Sequence, residues 1–167
     1  LIDTLVSMLT TDLDQGCYEA EGKKPEGHVP TILVSAVALI DVDGRVLLSK
    51  RPKEKTMAGL WEFPGGKVEK NETPEMALVR ELAEELNIDV SESCLSPLTF
   101  ASHIYQKNEY INRSFHLLMP LFVCRAWKGV VTANEGQTLK WRYPLDINTN
   151  EMPVADIPLV AFLRDWL

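Results

Sequence analysis

No run of 18 apolar residues occurs in the chain, so no segment reads as a transmembrane helix and no membrane partner is expected. The opening residues lack the basic start and small-residue cleavage site of a signal peptide, and the expected location is the cytoplasm. Cysteine is scarce. Cys17, Cys94 and Cys124 are odd in number and form no C-x-x-C pair, which argues against a disulfide framework and a zinc site and leaves reduced thiols. His28, His103 and His116 stand in no two-His spacing and beside no Ser or Cys nucleophile motif, so histidine chemistry is not expected. Positive charge is also in deficit. With 17 Lys and Arg against 24 Asp and Glu, the net charge is -7, and binding along a nucleic-acid duplex, which depends on neutralising many phosphates, is excluded as a main role. A small anionic ligand remains compatible with this charge, provided that a cation bridges acidic protein and acidic ligand.

What is present suits one globular domain: 167 residues, 46% hydrophobic and 25% charged, are too few for a second full core. Either a monomer or a homodimer fits. Residues 1–30 form an appendage in which Leu5, Val6, Leu9 and Leu13 make a short apolar-periodic piece, followed by the polar, Gly- and Pro-containing run Gly22 to Pro30. The domain proper spans 31–167. Ile32 to Ile40 is an apolar, β-branched run, Asp43-Gly44 is a turn signal and Val46 to Ser49 resumes the strand pattern, which together predict a buried hairpin.

The strongest helix signal runs from Thr73 to Leu86. Thr73 suits the cap, Pro74 the first helical position, and Glu75 the positive end of the dipole. Leu78, Val79, Leu82 and Leu86 fall on one arc of about 100°, and Asn87 stands where a left-handed cap residue is wanted. Strands are expected near Leu98–Tyr105, Phe115–Ala126 and Leu139–Tyr143, and Leu159, Phe162, Leu163 and Trp166 mark a closing amphipathic helix. The irregular alternation implies an α/β (α+β) fold with a mixed sheet between helices.

On the first helix, Glu81, Glu84 and Glu85 share a face at spacings of three and four, and like charges so placed cost about 0.2 to 0.5 kcal/mol per pair. A solvated acidic face would explain them by itself. A hard-cation site is the alternative, because Mg²⁺ takes oxygen ligands and is shared between a few carboxylates and substrate phosphates. The surroundings favour the cation. Gly65-Gly66 precedes the helix, Glu72 lies just before it, and Arg80 is the single cation in the acidic arc.

Gly66, five residues, Glu72, seven residues and then Arg80-Glu81-Leu82-Ala83-Glu84-Glu85-Leu86-Asn87-Ile88 resemble the Nudix box, with Asn87 in place of the family's final glycine. Asn is well suited to positive φ, so the departure threatens little. The stretch Trp61-Glu62-Phe63-Pro64-Gly65-Gly66-Lys67-Val68-Glu69 is similar to the MutT branch, whose members remove oxidised purine triphosphates. This resemblance implies a Nudix fold and a nucleotide hydrolase dependent on Mg²⁺, with Mn²⁺ as a substitute. Glu81, Glu84, Glu85 and the Gly65 carbonyl would be metal ligands, with Glu135 as a further ligand. Arg80 and Glu72 would pair to hold loop against helix, with Gly66 and Asn87 serving the local geometry. Glu81, Glu85 and Glu135 are the candidate bases for activating water, and Arg80 completes the catalytic set. Attack at the β-phosphorus would release a monophosphate and pyrophosphate.

For the substrate, the resemblance points to Arg51 and Asp156, and Phe63 is a further candidate from its place beside the box. Trp61 and Phe63 could stack on a base, although packing beneath the Gly-Gly loop explains them as well. Asp156 takes the place of a base-reading asparagine in the best-known MutT type. Read as a carboxylate, it would attract the N7–H of 8-oxoguanine and repel the bare N7 acceptor of guanine; read as a helix cap, it would have no part in base choice. The rival readings are a Nudix hydrolase for a pyrimidine triphosphate, a dinucleoside polyphosphate or a nucleotide sugar, the second suggested by Tyr105, and a non-catalytic nucleotide-binding module.

Overall fold

The computed structural model describes residues 29–52, 58–108, 111 and 113–167. Most of the expected appendage, with Cys17 and His28, lies outside the described residues. Seven strands follow in order: β1 (Thr31–Leu39), β2 (Val46–Lys50), β3 (Trp61–Glu62), β4 (Gly65–Lys67), β5 (Ser96–Tyr105), β6 (Phe115–Cys124) and β7 (Thr138–Arg142). Two helices, α1 (Pro74–Leu86) and α2 (Ile157–Trp166), flank them.

The strands form two sheets, a four-stranded one in the order β4-β1-β6-β5 and a three-stranded one in the order β3-β2-β7. The first is mixed, since β1 runs parallel to β6 but antiparallel to β4. The expected β1–β2 hairpin is therefore corrected. Its turn forms, with Asp41 Oδ1 accepting from the amides of Asp43 and Arg45 and Gly44 at φ 81°. The ladder then stops after a single bridge between Ile40 and Val46. Both edges of β1 are already taken by β4 and β6, so β2 turns away and pairs with β3 and β7.

This arrangement explains why β1 is apolar without alternation. Ala36, Ala38 and Ile40 face one core with Val46, Leu48, Leu121, Leu159 and Leu163, while Val37 and Leu39 face a second core beneath α1. Over Ala36–Leu39 the strand is buried on both faces, and such a stretch needs apolar residues at every position.

Helix α1 forms as its signals predict. Thr73 Oγ1 accepts the Met76 amide at 3.1 Å, and Leu78, Leu82 and Leu86 are fully buried, each contributing about 1.5–3 kcal/mol of burial. Asn87 adopts φ 55°, ψ 40°, and its amide closes on the Ala83 carbonyl. We expect Asn87→Gly to be neutral or slightly stabilising and Asn87→Ala to cost about 1 kcal/mol, read by chemical denaturation. The reverse order would contradict a left-handed cap.

The closing helix differs from its sequence pattern. Leu159, Val160 and Leu163 are its buried residues, whereas Phe162 and Trp166 are 42% and 46% exposed. Phe162 sits on the flank, and the Trp166 ring instead has the Arg125 guanidinium 5.8 Å from its centroid. Among the described residues no helix is long and apolar enough to cross a membrane.

Candidate active site

The glycine pair fixes where loop and helix meet. Gly65 has φ 149° and pairs with Ala36, and a Cβ there would lie 2.1 Å from the Ser35 carbonyl oxygen. Gly65→Ala is expected to lower Tm by more than about 8 °C, because the obstacle is the backbone of β1 and the φ is one that side chains avoid. Gly66 is constrained differently. Its missing Cβ leaves room for the Glu81 carboxylate, which an added methyl would meet at 2.2 Å.

Arg80 ties this junction together. Its Nε and Nη2 donate to the two Glu72 oxygens at 2.8 and 2.9 Å, its Nη1 to Glu81 Oε1 at 2.7 Å, and Nη2 also to the Lys67 carbonyl at 3.1 Å. Glu84 Oε2 lies 3.6 Å from Nη1. Glu72 also accepts the Glu69 amide, and the Arg80 fork holds its carboxyl down at about 2. With its folded pKa lowered, Glu72 stabilises the fold fully above the ordinary carboxylate range. That contribution is lost as pH falls toward about 2.

A second loop closes over the far end of α1. The Asn134 amide donates to the Glu85 carbonyl at 3.0 Å, Gln137 Nε2 to the same carbonyl at 2.7 Å, and Asn134 Nδ2 to the Glu84 carbonyl at 2.8 Å. Thr132 N reaches the Leu86 carbonyl at 3.0 Å. These donors satisfy carbonyls that a helix end leaves without partners. Glu135, whose amide bonds Gln137 Oε1 at 2.8 Å, is thereby held at the end of α1 that carries Glu84 and Glu85.

A separate group forms between β3, β5 and the start of α2. Arg51 Nη1 donates to Glu62 Oε2, and Asp156 Oδ1 accepts the Phe63 amide at 3.4 Å. Asp156 is the N-cap residue of α2 but makes no capping bond with its side chain, so the simple cap reading fails. It is only 5% exposed, and desolvation, reinforced by Glu62, pushes its carboxyl up to about 8 against the opposing Phe63 amide and Arg51. The expected anion is thus corrected: near neutral pH Asp156 is mainly a neutral acid. Beside it, Tyr105 Oη accepts the Ala155 amide at 3.3 Å and its ring stacks on Phe115 at 5.2 Å. The Phe63 ring is buried in the core, and Trp61, half-buried, carries Lys140 Nζ 3.7 Å from its ring centroid.

The NUDIX domain model matches residues 30–163. The chain is a Nudix protein. It is 40% identical to the CTP pyrophosphohydrolase of Escherichia coli K12 over 132 residues, covering 75% of this chain and 87% of that one. It is 33% identical to the 8-oxo-dGTP diphosphatase of the same organism over 130 residues, covering 77% and 94%. Among solved structures, the Escherichia coli ORF135 protein superposes with a TM-score of 0.65 at 33% identity, covering 86% of this chain and 94% of that one. The MutT Nudix hydrolase of Burkholderia pseudomallei gives 0.64 at 30%, covering 79% and 95%. The Nudix assignment carries hydrolysis of an acid anhydride with it, and the sandwich of mixed sheets and helices is the MutT-type fold.

The Nudix donor set suits a hard divalent cation. Glu81, Glu84, Glu85, Glu135 and the Gly65 carbonyl offer only oxygen, and the cradle that Gly66 leaves open receives the Glu81 carboxylate. Among the described residues these side chains do not yet converge into a finished coordination sphere. Arg80 holds Glu81, and Glu84 points outward with 58% of its side chain exposed.

Glu62 received no role from the sequence, although it stands inside the Trp61–Glu69 stretch. The available signal was its place opposite Ser49 on β2, two residues before Arg51. Asn134 and Gln137 were also passed over, since polar loop residues resemble one another until a helix end lies beneath them.

Proposed function

We propose that the chain is a Mg²⁺-dependent nucleoside triphosphate pyrophosphohydrolase of the MutT type, acting on oxidised purine nucleotides such as 8-oxo-dGTP and releasing the monophosphate and pyrophosphate. The observation that carries the base assignment is the burial of Asp156 beside the Phe63 amide, which favours the protonated form of its carboxyl. A neutral carboxyl presents one donor and one acceptor, the same pair that an asparagine amide presents. Toward 8-oxoguanine, the O–H donates to O6 while the carbonyl accepts N7–H. Normal guanine offers acceptors at both positions, so one of the two bonds is lost. Discrimination therefore comes from the donor and acceptor pattern rather than from charge repulsion.

On the phosphate side, Glu81, Glu84, Glu85, Glu135 and the Gly65 carbonyl are the proposed ligands. A Mg²⁺ ion held by these residues would supply positive charge to the polyphosphate and lower the pKa of a bound water. Arg80 orients Glu81 and, through Glu72, locks the loop on the helix. Glu81, Glu85 or Glu135 takes the proton from the attacking water, and Arg51 with Glu62 positions the nucleoside beside Asp156.

CTP is the second reading, favoured by the 40% identity to a CTP pyrophosphohydrolase. Cytosine N3 and N4–H₂ also pair with a neutral carboxyl, as acceptor and donor. The two separate on kcat/KM for 8-oxo-dGTP, dGTP and CTP with Mg²⁺. A preference of at least about tenfold for 8-oxo-dGTP over both others is expected. A higher value for CTP than for 8-oxo-dGTP would replace the first reading with the second.

A further inference from the structure

Among the described residues, one face of the larger sheet is only half covered. Thr31, Leu33, Ser35, Val37 and Leu39 of β1 lie on the same side as His116, Leu118, Pro120, Phe122 and Cys124 of β6, by their parallel register. Phe100, Ser102 and Ile104 of β5 join them through pairing with Pro120, Leu118 and His116. Helix α1 covers the Val37, Leu39, Phe122 and Cys124 end, where these residues pack with Leu78, Leu82 and Leu86. At the opposite end Phe100 is 64% exposed and Ile104 49%, and Leu33 and Leu118 belong to neither core cluster. His116 crosses this end, bonded to Ser102 Oγ at 2.8 Å and Thr31 Oγ1 at 3.2 Å, so the surface is a fixed apolar floor with one polar seam.

We propose that this half-face is the docking surface for residues 5–13 of the same chain. The chain enters β1 at its rim, where the Pro30 carbonyl accepts the His116 amide at 2.9 Å. The sequence preceding that point contains the apolar positions Leu5, Val6, Leu9 and Leu13, spaced as one helical stripe. Size matches. Three strands spaced about 4.8 Å apart and four residues long give a floor about 10 Å by 13 Å, close to the footprint of a nine-residue helix about 10 Å wide and 14 Å long. A second copy of the chain needs about 800 Å² per partner for a stable interface, several times what this floor offers. The 17 residues from Asp14 to Pro30 span up to about 55 Å when extended, so the tether does not limit the contact and raises its effective concentration to about the millimolar range.

Hydroxyl-radical footprinting of the full chain, read at Phe100 and Ile104 by mass spectrometry at two protein concentrations, tests this. Docking within one molecule is expected to slow Phe100 oxidation about fivefold or more relative to the Leu9→Asp chain, equally at both concentrations, with kcat unchanged by Leu9→Asp. A Leu13→Asp chain should behave as Leu9→Asp does. Equal oxidation in all three chains would overturn the proposal. Protection that grows with concentration would overturn it too, in favour of a second copy as the occupant.

Discussion

Gly66→Ala is expected to lower kcat/KM about 100-fold while moving Tm by less than about 3 °C. The added methyl would lie 2.2 Å from the Glu81 carboxyl group, the far end of a side chain that can swing aside at small cost to the fold. Swinging aside removes Glu81 from its position beside the glycine bend by about 1 Å or more. A misplacement of that size costs about two orders of magnitude in rate where geometry is the source of catalysis. Gly65→Ala is expected to lower Tm as well as activity, since backbone and not side chain blocks its Cβ. Of the two adjacent glycines only Gly66 thus separates folding from chemistry, and steady-state kinetics with thermal melts on the two variants measure the difference. A Gly66→Ala enzyme with full activity would show that the Glu81 position is unimportant.

Asp156→Asn is expected to stabilise the fold at alkaline pH and to remove an alkaline decline in activity. Burial raises the Asp156 carboxyl from 3.8 to about 8, so the folded state favours the protonated form. Stability from this group is therefore fully present below the unfolded value, falls as pH rises from about 4 to about 8, and stays low above that. At about 1.4 kcal/mol per pH unit the penalty at high pH is on the order of 5 kcal/mol, an upper bound for a group that can relax. Asparagine keeps the donor and acceptor and has no charge to bury. The Asn variant should melt roughly 5 °C or more above wild type at pH 8.5, with the gain shrinking toward pH 4. Its kcat/KM for 8-oxo-dGTP should stay flat through pH 8, where the wild-type value declines, while Asp156→Ala should lose about 10- to 100-fold in preference over dGTP. Equal melting temperatures at pH 8.5 would mean that Asp156 carries its charge without cost.

The contrast between these two residues shows what a sequence can disclose. The box was legible because its parts are local: Thr73, Pro74 and the Leu78, Leu82 and Leu86 stripe define α1, and Asn87 closes it at positive φ. Arg80 and Glu72 are eight residues apart, and the ion pair found between them is the one that the resemblance to the Nudix box implies. The hairpin failed for the opposite reason. Nothing local in Ile32–Ser49 tells β1 that β6, more than 70 residues later, will occupy its edge. Asp156 is a similar case, since its protonation depends on Glu62, Phe63 and Arg51, which approach it only after the sheets and α2 have packed.

The central claim is that the carboxylates of α1 hold divalent cations against a polyphosphate. Titration of Mn²⁺ into wild type and the Glu84→Gln/Glu85→Gln chain, followed by paramagnetic resonance and paired with pyrophosphate release, tests it directly. In the doubly substituted chain Mn²⁺ binding is expected to weaken at least about tenfold and turnover to fall about a thousandfold, with the melting temperature little changed. Undiminished Mn²⁺ binding together with undiminished turnover would contradict it.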